Sequence, residues 1–114
     1  MTFSQPVPAL PVHSVVEAQH YYQEKLGFDI AWHNVEGRIG AVSHGTCALF
    51  FREVDGDVAP CVLWVFVADV DDAFAELSDR GAEVVEFPED KPWGLRQFTV
   101  RDLHGHLYHF HCDL

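Results

Sequence analysis

"SVVEAQHYYQEKLGF", residues 14–28, holds a helix start, an apolar stripe and a stop in one phrase. Ser14 followed three residues later by Glu17 is a capping box, in which a hydroxyl satisfies a backbone N–H that the first turn would leave bare. Val15, Ala18, Tyr22 and Leu26 fall on one face at helical spacing, and Gly27 stands where a left-handed residue closes a helix. "DVDDAFAELSDRGAEV", residues 69–84, repeats the device. Its aspartates favour the positive end of a helix dipole, Val70, Phe74 and Leu77 make the stripe, and Gly81 is the stop.

What surrounds the two helices also repeats. Extended apolar runs precede them, "VPALPVH" (residues 7–13) and "CVLWVFVA" (residues 61–68), and strand-like segments follow. After the first come "FDIAWHN", "RIGAVSH" and "TCALFFRE", joined by turn signals at Asn34 to Gly37 and at His44-Gly45. After the second come "AEVVEF", "LRQFTVR" and "HLYHFH", the last two joined through Asp102-Leu103-His104-Gly105, where glycine supplies a positive φ. Strand, helix, then two or three strands occurs twice, which is an internal duplication. It predicts an α+β fold of two βαβββ-type repeats, each half-sheet covered by a helix on one face, the pair curled around a cleft. Repeat one is expected over about residues 1–53, an acidic linker over about 54–59, and repeat two over about 60–114, in a single domain. "PEDKPWG", residues 88–94, reads as a long loop.

Composition narrows the function. The formal charge of −11 disfavours nucleic acid and acidic membranes, whose binding surfaces need clustered Lys and Arg. The same field favours a cationic ligand. Three widely spaced cysteines, Cys47, Cys61 and Cys112, read as buried thiols of a cytosolic protein. The N-terminal "MTFSQPVPALPV" has prolines where an export signal needs an apolar helix, and "APCVLWVFVA" is too short to span a bilayer, so a soluble cytoplasmic protein is expected.

Several strings together resemble the vicinal oxygen chelate superfamily, in particular its glyoxalase/bleomycin-resistance type. They are "LPV" leading into a helix that ends "YYQEKLGF", then "VADVDDAFAELSDRGAEV" and "KPWGLRQFTVRDLHGHLYHF". Trp93, Gly94, Arg96, Phe98, Val100, Arg101, Asp102 and Gly105 hold the family pattern, whereas Gln97, Leu103, His104 and His106 depart from it. The resemblance implies the fold more than the activity, because this fold hosts isomerases, dioxygenases, thiol transferases and drug-binding proteins.

"HGHLYHFH", residues 104–111, raises the question of a metal. The resemblance implies that metal-dependent members draw donors from the first and last strands of each repeat; those positions fall at Val7, Leu49, Val62 and His109, and three of them are aliphatic. His109 and His111 share one side of a strand with Leu107, while Tyr108 and Phe110 go under a helix. Imidazoles two apart on a strand point the same way about 7 Å apart, a poor geometry for one small ion. His104 and His106 are expected as solvent-exposed turn residues. No Ser-His-Asp or Cys-His arrangement and no phosphate-cradling glycine loop can be read. The sequence therefore assigns no catalytic residue, no metal and no cofactor.

Alternation from those positions puts Trp64 and Phe66 beside Val62, Cys47 and Phe51 beside Leu49, and Ala9 and Pro11 after Val7 on the cleft face. A strand half-covered by a helix normally turns polar residues to its other side. Large aromatics there point to a flat ligand or to another subunit. The expected ligand-binding set is Trp32, Leu49, Phe51, Trp64, Phe66, Trp93, His109 and His111, with Trp32 as a wall and Trp93 as a lid. The resemblance implies a groove at a dimer interface, lined by aromatics at positions matching Trp64 and Trp93. The expectation is a noncatalytic homodimer that sequesters a planar, cationic, bleomycin-like or other aromatic compound. The alternative is a metal-dependent lyase, isomerase or dioxygenase of the same superfamily.

Overall fold

A computed structural model describes all residues, Met1–Leu114. The first βαβββ unit runs β1 (Ala9–Val12), α1 (Val15–Leu26), β2 (Asp29–Asn34), β3 (Ile39–His44) and β4 (Cys47–Glu53). The second runs β5 (Val62–Phe66), α2 (Val70–Asp79), β6 (Glu83–Asp90), β7 (Leu95–Arg101) and β8 (Leu107–Asp113). Packing divides the chain into Met1–Ala59 and Pro60–Leu114. The sheets have the same topology, β1-β4-β3-β2 and β5-β8-β7-β6. In each, the helix carries the chain across so that the first strand can lie parallel to the last, a pairing no short turn can make.

The helix ends follow from their caps. Ser14 Oγ accepts from Glu17 N at 3.2 Å, and Gly27 adopts φ 73° at the end of α1. Asp69 does the same for α2, accepting from Asp72 N at 3.0 Å, and Gly81 follows with φ 85°. In the first unit, Val15, Ala18, Tyr22 and Leu26 of α1 are buried against the sheet. Gly40 sits directly beneath the helix; a Cβ there would come within 2.4 Å of Val15 Cγ1. Gln19, buried on the same face, donates through Nε2 to the Trp32 and Ala41 carbonyls at 2.8 and 3.1 Å. In the second unit Val70 and Leu77 are buried, and Phe74 meets Phe98 edge-on, which in turn stacks on Phe110 at 5.2 Å.

Four expectations are corrected. On β4 the faces are reversed: Leu49 and Phe51 are 1% and 0% exposed, and Phe51 packs on Tyr22 of α1 with ring centroids 4.7 Å apart. They belong to the core of the first unit, and Phe50 takes the open side, 5.3 Å from Trp32. Second, β6 continues through Pro88 to Asp90, leaving only a tight turn, Lys91 to Gly94, where a long loop was expected. Pro88 is tolerated because β6 is an edge strand, and the register shifts twice along it. Third, His106 is fully buried; its Nδ1 accepts from Cys61 N at 2.8 Å. Asp102, also buried, accepts from the backbone N–H groups of His104 and His106, so this turn is tied from inside. Fourth, Cys47 shares the helix side with Leu49, and burial pushes its thiol up from the ordinary value. No helix is long and apolar enough to cross a membrane.

Candidate functional site

The side of the second sheet away from α2 carries two rows of side chains that run straight across all four strands. Register places Trp64, His109, Thr99 and Glu86 in one row, on β5, β8, β7 and β6 respectively. Phe66, His111, Gln97 and Glu89 make the next. Each row reads aromatic ring, imidazole, neutral hydrogen-bonding group, carboxylate. On β7 and β8 simple alternation produces this, since Phe98, Val100, Tyr108 and Phe110 are buried on the α2 side. On β6 it takes irregularity. Register shifts between Val84 and Glu86 and between Glu86 and Glu89 let carboxylates three residues apart stand opposite Arg101, Thr99 and Gln97 in turn.

The aromatic ends of the rows are open. Trp64 is 52% and Phe66 62% exposed. Trp64 lies on the His109 ring with centroids 4.4 Å apart and meets His111 edge-on at 5.9 Å; Phe66 meets His111 edge-on at 5.9 Å. The other ends are polar and tied together. Thr99 Oγ1, in a buried residue, donates to Glu86 Oε1 at 3.1 Å and lies 2.7 Å from His109 Nδ1. Lys91 Nζ bridges Glu86 and Glu89 at 3.6 and 3.3 Å. It also sits 5.7 Å above the Trp93 ring, whose Nε1 donates to Gln97 Oε1 at 3.0 Å. His111 Nδ1 is buried and meets no hydrogen-bonding partner. Burial holds the His109 imidazole below its ordinary value; Glu86 pulls it the other way, while Lys91 and His111 reinforce the depression. His109 is accordingly a neutral ring at physiological pH.

Of the expected binding residues, the second unit brings together Trp64, Phe66, His109 and His111, with Trp93 beside them through Gln97. Trp32 lies on the open side of the first sheet with Phe50, Ala41 and Ala9 in its row. Leu49 and Phe51 leave the set as core residues. Thr99, Gln97, Glu86, Glu89 and Lys91 join it. Thr99 and Gln97 were signalled by polar residues alternating with Phe98 and Val100 on β7; the β6 carboxylates had no such signal, because the bulges break the alternation.

The residues at the family's metal positions do not fit a metal. With β4 turned over, the open side there presents Phe50, paired with Ala9 on β1, and the others are Val7, Val62 and His109. One imidazole among carbon-only side chains is not a donor set. No group of three or more His, Cys, Asp or Glu side chains converges as a metal site would need. The interactions this face offers include stacking, cation–π attraction and hydrogen bonding from a neutral imidazole.

Solved structures with this architecture include TioX from Micromonospora sp. ML1, 28% identical with TM-score 0.81, covering 97% of this chain and 100% of that one. A bleomycin-binding protein in complex with bleomycin is 19% identical with TM-score 0.84, over 98% and 100% of the two chains. The bleomycin-binding protein of Streptomyces verticillus, in complex with copper(II)-bleomycin, is 22% identical with TM-score 0.78, over 96% of each. No protein of curated function matches the sequence. The profile of the Glyoxalase/Bleomycin resistance protein/Dioxygenase superfamily matches residues 5–110, and the chain belongs to that superfamily.

Proposed function

We propose that this protein binds a planar, cationic, drug-like small molecule without transforming it, the open face of the second unit serving as the stacking wall. The observation that carries this is the exposure of Trp64 and Phe66, more than half in each case, on a sheet face where polar residues would be the rule. Leaving two large rings in water forgoes roughly 25 cal/mol for every Å² of apolar surface a guest could cover. A flat ligand recovers it on both sides of its ring. A positive charge on that ligand gains from the Trp64 and Trp93 faces, from Glu86 and Glu89 at the polar ends of the rows, and from a net charge of −11 that raises its local concentration.

A second copy of the chain covers what the ligand leaves exposed, so the working form is a cytoplasmic homodimer, with Trp32 and Phe50 of the first unit supplying further aromatic surface. Sedimentation at micromolar concentration is expected to give the dimer mass. Similarity to two bleomycin-binding proteins supports bleomycin as the first ligand to try. Calorimetric titration with bleomycin or phleomycin is expected to give saturable heat. No heat at submillimolar ligand removes this reading.

A further inference from the structure

We propose that Thr99 and Glu86 are positioning residues that hold His109 as a hydrogen-bond acceptor toward the open face, so that the face selects planar ligands with an N–H or O–H donor on the ring edge. The proposal rests on the reading of this face as a ligand wall and adds the chemical class of its guest.

A carboxylate can only accept, and Glu86 is paired as one with Lys91. Thr99 owns one hydroxyl proton, and at 3.1 Å from Glu86 Oε1 that proton is committed. Only the lone pairs of the Thr99 oxygen remain for His109 Nδ1, 2.7 Å away, so Nδ1 is the donor. The reverse arrangement would turn a Thr99 lone pair against the Glu86 carboxylate. A neutral imidazole with its hydrogen on Nδ1 has a bare lone pair on Nε2. No protein group bonds to Nε2, and it is not among the fully buried atoms left without a partner, so a guest on the open face can meet it. Thr99 is buried and its row crosses the sheet in register, so the relay is built into rigid elements.

A guest lying against Trp64 covers the neighbouring Nε2. If its edge carries a donor, the water lost from Nε2 is replaced. If not, a polar atom is desolvated without compensation, which costs affinity. Indole and N-methylindole isolate this difference, being flat, uncharged and distinguished by one N–H.

Long-range proton–nitrogen spectra of the unliganded protein report which ring nitrogen carries the hydrogen. The expected result is Nδ1 protonated and Nε2 bare in the wild type, shifting toward the opposite tautomer in Thr99→Val. The exposed-edge variant Glu86→Ala should shift the same way, because it frees the Thr99 proton to turn to His109. Titrations followed by backbone amide shifts are expected to show indole binding about fivefold more tightly than N-methylindole, with the preference lost in both variants. A protonated Nε2 in the wild type overturns the proposal. So do equal affinities for the two indoles, or failure of both to perturb Trp64 and His109 while bleomycin binds. Absence of bleomycin binding removes the proposed drug-binding function instead, and the nitrogen spectra still decide where the proton lies.

Discussion

Phe50 and Phe51 differ by one position and by the side of β4 each ring takes. Phe51 is fully buried against Tyr22, whereas Phe50 lies on the open side beside Trp32. Truncation to Ala should therefore cost about 3–5 kcal/mol at Phe51, the usual range for a core aromatic, and markedly less at Phe50. Urea denaturation of the two variants measures the contrast, and equal losses would contradict the face assignment. His109 offers a second test. Its folded value is depressed, so the unfolded chain takes up a proton first as pH falls below about 6.5, and stability present above that pH is lost as pH drops through the folded value. Stability measured between about pH 7.5 and about pH 5 should fall less steeply in His109→Gln than in the wild type. Parallel profiles would show that the ring is not held neutral by its surroundings.

At the scale of elements, both helices were legible because their caps are written in residues a few positions apart. Ser14, Asp69, Gly27 and Gly81 act locally, and no distant partner changes what they specify. β4 was not legible in the same way. "ALFF" is apolar at every position, so alternation has nothing to alternate with, and only packing under Tyr22 decides which Phe is inside. β6 failed for a different reason: its register shifts place Glu83, Glu86 and Glu89 on one side at a spacing no regular strand has. His106 looked like a turn residue from its neighbours, yet Cys61, far away in sequence, supplies the N–H that buries it. Gly40 marks where helix and sheet meet most closely. Gly40→Ala would push a methyl into Val15, and a loss of about 1–3 kcal/mol is expected from overpacking. Thermal and urea unfolding read it, and an unchanged midpoint would mean that α1 lifts without cost.

At the scale of the whole molecule, the duplicated βαβββ unit gives two sheets of one topology with different open sides. The first offers Trp32 and Phe50; the second adds a graded surface from exposed rings through imidazoles to carboxylates. The family's metal positions hold Val7, Phe50, Val62 and His109, a set with only one side chain able to ligate a metal. The most direct test compares wild type with Trp64→Ala in calorimetric titrations against one bleomycin stock. The half-exposed ring can be removed with little loss of stability, so the variant should fold normally and bind at least about tenfold more weakly, the scale of a lost stacking anchor. Equal affinities in the two proteins would contradict the assignment of this face as the ligand wall.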